Sequence, residues 1–358
     1  MIRLVPRTQA STFWQVATPI MAVLATMVAG GLLFAIMGYD PVAAIRTIFW
    51  DPLFGQASAY SRPQLLVKAG PLILIASGLA VGFRAGIWNI GAEGQYIIGG
   101  ILGAAVALAV YPGEHLWLFP AMVVAGAVGG WAWAMIPAML RNWFGASEIL
   151  VSLMLVYVAQ KIAAWMAFGP MKNPEGYGFP GSRNLQQYPS AANPELITGT
   201  GAHWGVFAAA LAVLAIWVLM GRHIRGLQIR AAGLAPRAAR FAGVKPETLV
   251  AFCLGLSGAL AGMAGLFEAA GPAGQITDSF GSGYGFTAII VAFLGRLNPF
   301  GILLAGLLLA LTYIGGELAQ LTLQLPAATV QVFQGMLLFF LLGFDLLTRF
   351  RVTRRVMA

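Results

Sequence analysis

Charge is what this chain lacks most. Asp, Glu, Lys and Arg make up 9% of its 358 residues, where soluble domains carry roughly 25%. Hydrophobic residues make up 59% and the mean hydropathy is +0.81. A water-soluble core cannot hide that much apolar surface, whereas a polytopic helical membrane protein can. Cysteine is nearly absent. The single Cys253 lies inside an apolar run, so no intramolecular disulfide forms and the residue reads as small core filling. The three histidines (His115, His203 and His223) are far apart in sequence and make no metal motif. None of the four lysines follows a glycine, which excludes a GxxxxGKS/T phosphate loop, so the chain cannot hydrolyse ATP by itself. No Ser/His/Asp or Cys/His arrangement is evident, which argues against a membrane-embedded enzyme.

What is present is a series of long apolar runs. A bilayer-spanning helix needs roughly 20 mostly apolar residues. The sequence predicts ten, near 17–38, 64–83, 94–111, 116–140, 148–168, 204–221, 248–270, 284–295, 297–317 and 327–346. The first exceeds the roughly 7–15-residue core of a secretory signal and reads as a retained span. The eighth is short, a half-helix or a broken, tilted span. Lys68 and Lys161 fall within spans and are expected to snorkel or face the bundle interior. Glycine pairs at four-residue spacing (Gly78/Gly82, Gly99/Gly103, Gly126/Gly130 and Gly258/Gly262) allow close helix packing. Trp14, Trp50, Trp117 and Trp204 lie near span ends, as in an interfacial belt.

The net charge of +9 is a matter of topology. With the N-terminus inside and ten spans, fifteen of the 21 Lys and Arg residues fall in inside segments. They include Arg3, Arg7, Arg84, Arg141, the 222–247 loop and the C-terminal arginines up to Arg355. Four fall outside: Arg46, Arg62, Lys172 and Arg183. That asymmetry follows the positive-inside rule, places both termini in the cytoplasm and leaves no case for nucleic acid. The expectation is an all-α polytopic membrane protein in one domain over 1–358. It has two inverted five-helix halves (1–168 and 204–358), an outer loop at 169–203 and a cytoplasmic loop at 222–247.

Two interruptions stand out. Residues 83–95 read Phe-Arg-Ala-Gly-Ile-Trp-Asn-Ile-Gly-Ala-Glu-Gly-Gln, polar and glycine-rich between two apolar runs. Irregular polar backbone at membrane depth is tolerated only where protein buries it or water reaches it. Trp88, Asn89, Glu93 and Gln95 therefore become candidates for a solute pathway, offering an aromatic face and amide or carboxylate groups. A Glu so close to the inner side can equally cap the third helix or brace an inner gate. Residues 281–299 form a second interruption, and paired broken segments in two halves often mark a transport pathway. In the 222–247 loop, Pro236 sits where a helix can start and Gly243 where it stops. The short helix between them is either a docking knob or part of a basic loop that only sets topology. Residues 39–63 are expected to lie partly as an amphipathic helix on the outer face, and 169–203 as an irregular cap.

The segment at 83–95 resembles the signature of permease subunits of bacterial ABC importers for nucleosides, simple sugars and branched-chain amino acids. The stretch Arg-Ala-Ala-Gly-Leu-Ala-Pro-Arg-Ala-Ala-Arg-Phe-Ala-Gly-Val at 230–244 is similar to that family's coupling helix. Leu-Gly-Arg-Leu-Asn-Pro-Phe-Gly at 294–301 resembles a third family segment. The resemblance covers nearly the whole chain and looks most like the longer permease of nucleoside-type systems. It implies that Pro236, Arg237, Ala238, Ala239, Arg240, Phe241, Ala242 and Gly243 contact an ATPase subunit, which binds the ATP and Mg while this chain holds no cofactor. It further implies a second, different permease, an extracytoplasmic substrate-binding protein and a place in the bacterial inner membrane. The expected function is half of the translocation pathway for a nucleoside-like solute, with a monosaccharide, a branched-chain amino acid or a riboflavin-like vitamin as alternatives. An ion-coupled secondary transporter with Glu93 or Glu268 as its ion site is the alternative from another class.

Overall fold

In a computed structural model, which describes residues 2–6, 12–281 and 283–354, the chain is built almost wholly of helices. Arg7, Ser282 and Arg355, used in the sequence reading, lie outside the described residues. In order, the chain forms β1 (Ile2–Pro6), α1 (Thr12–Ile36), α2 (Pro41–Phe49), α3 (Asp51–Phe54), α4 (Ser58–Arg84), α5 (Ala92–Val110), α6 (Leu118–Phe144) and α7 (Glu148–Phe168). There follow β2 (Glu195–Ile197), β3 (Ala202–His203), α8 (Trp204–Arg222), α9 (Ile224–Leu234), α10 (Pro236–Phe241) and α11 (Pro246–Ala269). The chain continues with α12 (Tyr284–Leu294), α13 (Pro299–Leu323), α14 (Ala327–Arg349) and β4 (Phe350–Arg354). Among the described residues nine helices are long and apolar enough to cross a membrane, and α12, with 11 residues, is a shorter apolar helix. The antiparallel pairing of β1 with β4 brings the two ends together.

Burial sorts the helices by position. The apolar stretch of α4 is 83% buried and those of α5 and α11 are 67% buried, whereas α1, α7 and α14 bury 28% or less. The first group forms the centre, and the second turns its apolar surface toward lipid. Glycine makes the centre possible, because α5, α6 and α11 meet backbone to backbone. A Cβ at Gly262 would lie 2.8 Å from the Gly130 nitrogen, and one at Gly78 would lie 2.9 Å from the Ser257 Cα. All four spaced pairs read from the sequence sit in or beside these crossings. Because α11 packs against α4, α5 and α6, the two halves interleave.

Several predicted boundaries moved. The helix α4 begins at Ser58, six residues before the run at 64–83, because the amphipathic segment α2–α3 leads straight into it. The residues 169–203 do form an irregular cap, holding a single turn of 3-10 helix at Leu185–Gln187 and the short β2–β3 pair.

Candidate functional site

The interruption at 85–91 climbs from the end of α4 back along that helix, and most of its backbone donors find partners. Gly86 takes φ +73°, a left-handed turn that suits glycine. The Ile87 N–H donates to the Gly82 carbonyl at 2.9 Å. The Trp88 and Ile90 N–H groups donate to the Glu148 carboxylate (3.4 Å) and the Ser152 hydroxyl (3.3 Å), one turn apart on α7. The Gly91 N–H donates to Asn89 Oδ1 at 3.0 Å. Glu148 is itself paired with Arg141. The segment is thus irregular backbone sheltered within protein, as its depth requires.

The four pathway candidates have distinct surroundings. Asn89 and Gln95 are buried and form a mutual amide pair (2.8 and 3.1 Å), and Asn89 Nδ2 also donates to Ser257 Oγ of α11 at 2.9 Å. Glu93 is 1% exposed, and its two oxygens accept from the Gly283 N–H (2.8 Å) and the Gly285 N–H (2.6 Å). These are orphan donors at the start of α12, so a carboxylate from one half caps the half-helix of the other, where the helix dipole also favours a negative charge. Trp88 is exposed and stacks on Phe293 (5.7 Å between centroids) beside Phe83. Of the roles the sequence left open for Glu93, a pathway group, a cap of the third helix or a brace of an inner gate, capping is seen here on α12 and not on the third helix.

Directly below this interruption lies the 222–247 loop, folded as α9 and α10. A Cβ on Gly233 of α9 would run into the Arg84 carbonyl oxygen. Of residues 236–243 only Ala239 is buried, and Phe241 is 94% exposed. Gly243 ends the helix at φ +83°. A cavity of about 190 Å³ separates α10 from the interruption, lined by Ile87, Arg141, Gly233, Pro236, Arg240 and Val250 among others.

Two larger cavities lie elsewhere. A groove of about 600 Å³ runs between α12, α13 and α14, lined by Phe286, Thr287, Tyr313, Glu317, Gln331 and Gln334 among others. The Thr287 and Tyr313 hydroxyls hydrogen-bond at 2.8 Å, and Thr287 Oγ1 donates to Gln334 Oε1 at 3.5 Å. The Gln334 side-chain N–H₂ is buried and, among the described residues, has no hydrogen bond of good geometry. On the side of the 169–203 cap a second cavity, of about 620 Å³, is lined by Gln64, Lys68, Glu195, His203, Glu268 and Glu317 among others. Lys68 and Glu317 form an ion pair at 3.3 Å there. Glu317 lines both spaces. The sequence reading did not select the groove residues. Their signal was polar side chains at i, i+3 within apolar runs, Gln331/Gln334 and Glu317/Gln320.

His203 has a defined tautomer. Its Nδ1 accepts from the Gly205 N–H at 3.0 Å, capping α8. Burial pulls its pKa down to about 4, so the ring is neutral and its proton sits on Nε2. That Nε2 is buried and has no hydrogen-bond partner among the described residues.

Residues 62–342 match the family described as the permease component of the branched-chain amino acid transport system. The chain is 35% identical to a glucose ABC transporter permease protein of Haloferax volcanii, over 98% of this chain and 93% of that protein. It is 28% identical to a guanosine ABC transporter permease protein of Bacillus subtilis, over 90% and 91% of the two chains. Its identity to a probable riboflavin import permease protein of Treponema pallidum is 26%, over 72% and 67%. No solved structure matches.

Proposed function

Since the chain belongs to the permease-component family of branched-chain amino acid transport systems, we propose that its two cavities lined by Glu317 are half of a solute pathway. The chain is a multi-pass permease of the ABC transporter type, resident in the inner membrane. Such a permease works with an ATPase subunit and a substrate-binding protein. Here the ATPase carries ATP and Mg, and the 169–203 side faces the binding protein. The observation that carries the reading is that Glu317, ion-paired with Lys68, lines both the cap-side cavity and the membrane groove. Polar side chains facing hydrocarbon are costly, so a groove bearing Gln331, Gln334, Thr287 and Tyr313 calls for water, solute and a second permease opposite it. That second permease is taken to be a different chain.

The solute is a neutral, hydroxyl-rich molecule. Tyr313 and Phe286 supply aromatic faces and Gln320 and Gln331 amide groups, which suit a nucleobase and its ribose. A monosaccharide is the second reading, favoured by the 35% identical relative named for glucose. On this reading Asn89, Glu93 and Gln95 brace the pathway wall through the contacts above, and Trp88 is the candidate left exposed. The single domain holds both halves around that wall. Of the two carboxylates that would serve an ion-coupled carrier, Glu93 is committed to α12 and Glu268 lines the cap-side cavity.

Gln334→Leu is expected to lower uptake of guanosine and glucose about tenfold in proteoliposomes holding the full transporter, as one lost hydrogen bond of roughly 1–1.5 kcal/mol implies. Unchanged uptake of every transported solute would remove Gln334 from the pathway.

Coupling is read from α10. Residues Pro236 to Gly243 stand exposed beneath the interruption, with α9 seated on Arg84. Movement of an ATPase against α10 would therefore press on the base of the pathway wall. Arg240→Glu is expected to cut uptake at least tenfold while membrane insertion persists. Normal uptake with unchanged ATPase stimulation by the binding protein would sink the docking role.

A further inference from the structure

The groove between α12, α13 and α14 gives way, along α12, to a stack of three aromatic rings. On α12 the groove is lined by Phe286, Thr287, Ile289 and Ile290, and on α14 its lining ends at Leu338. A helix turns once in roughly 3.6 residues, so Phe286, Ile289, Ile290 and Phe293 share one face of α12. Phe293 is thus the next side chain on the groove's own face, one turn beyond its lining, and α12 ends at the following residue, Leu294. The Phe293 ring stacks on Phe83 of α4 (5.1 Å between centroids, 18° between planes) and on Trp88 of the interruption (5.7 Å, 26°). Trp88 and Phe83 also meet, at 5.1 Å. Three segments that are distant in sequence therefore close around one another at this end of the groove.

The three rings are not held alike. Phe83 is 8% exposed and belongs to the core, whereas Trp88 is 39% exposed. Trp88 also stands on backbone without regular secondary structure, tied at its own N–H by one long bond to Glu148. Phe83 adjoins Arg84, whose carbonyl oxygen leaves no room for a Cβ on Gly233 of α9. The stack thus lies between the groove and the helix pair α9–α10. Contacts between aromatic rings are individually modest, so they can part and re-form within a transport cycle. We propose that Trp88 and Phe293 are the inner barrier of the groove, closed at rest and parted when α9 shifts against Arg84. The inference rests on the pathway reading above and adds the place where that pathway closes.

The test uses a thiol placed in the groove. Cys253 is the single cysteine of the chain and is buried, so Leu338→Cys supplies the one accessible thiol of this subunit. Inside-out vesicles holding the full transporter, without nucleotide, are treated with a membrane-impermeant charged methanethiosulfonate, and labelling of this chain is read by mass spectrometry. The expected result is slow labelling with the native rings and labelling about tenfold faster in Trp88→Ala and in Phe293→Ala. Trp143→Ala, which removes a 72% exposed ring at the end of α6, is the control and leaves the rate unchanged. Monodisperse yield of the complex reports folding. Should Phe293→Ala fail to fold, Trp88→Ala carries the test, because its ring is exposed. Unchanged labelling in the folded alanine variants overturns the barrier, and so does fast labelling with the native rings in place. The pathway reading is checked by whether labelling Leu338→Cys blocks the uptake that this variant supports. Blocked uptake with unchanged labelling rates in the ring variants sinks the barrier alone. Unblocked uptake after complete labelling sinks the pathway reading, and the barrier falls with it.

Discussion

Glu93→Ala is expected to abolish uptake by the assembled transporter and to lower its unfolding midpoint. The reason lies in α12. Its 11 residues fall below the roughly 12–15 at which a helix is even marginal by itself in water. It also begins at depth in the protein, where its first N–H groups need partners. The Glu93 carboxylate serves two of these positions, Gly283 and Gly285. The approach is so close that a Cβ on Gly285 would lie 2.5 Å from the Glu93 Cα. Alanine leaves both donors buried and unmet, at about 1–3 kcal/mol each. The groove loses its wall at Thr287, which α12 carries. Glu93→Gln keeps one oxygen that can accept and should fall between wild type and alanine. Uptake in proteoliposomes and thermal unfolding of the purified complex measure both effects. Wild-type values for Glu93→Ala would show that α12 does not depend on this cap.

Gly262→Val is expected to prevent the helical centre from forming. An added Cβ at Gly262 would stand 2.8 Å from the nitrogen and 2.9 Å from the Cα of Gly130, with the Gly126 carbonyl closer still. All three atoms are backbone, so no rotamer change relieves the clash and α6 must move away from α11. Overpacking an ordinary core costs about 1–3 kcal/mol, and forcing two backbones apart costs more. Within a bilayer there is little hydrophobic force to hold the displaced helices together, because lipid is as apolar as the packing it replaces. The measurement is monodisperse yield after detergent extraction. Gly221→Ala is the control, since its added Cβ meets nothing within 4 Å. Equal yields for the two variants would refute the close crossing.

The two segments singled out in the sequence, 83–95 and 230–244, meet in space through Arg84 and Gly233. Their spacing in the chain gave no sign of this, because the contact is made across about 150 residues of intervening fold. Glu93 illustrates the same limit. A carboxylate beside a helix break was legible as functional or architectural, but the break it serves belongs to another helix, 190 residues on. The groove went unread for a different reason. Gln331, Gln334, Thr287 and Tyr313 are isolated polar residues in apolar runs, and only the face they share makes them a wall.

The sequence by itself determined the class of molecule, the approximate spans, the glycine positions for close packing and the helix-start and helix-stop residues at Pro236 and Gly243. These follow from local composition, because hydropathy, φ preference and the missing proline N–H act over a few residues. Tertiary structure decided which polar groups were already partnered. Asn89, Gln95 and Glu93 were consumed by contacts with one another, α11 and α12. Glu317 and its partner Lys68 were brought to the cap-side space, and Glu317 to the groove as well. A hydrogen bond depends on a partner within about 3 Å, and nothing in the linear order of residues states which partner that will be.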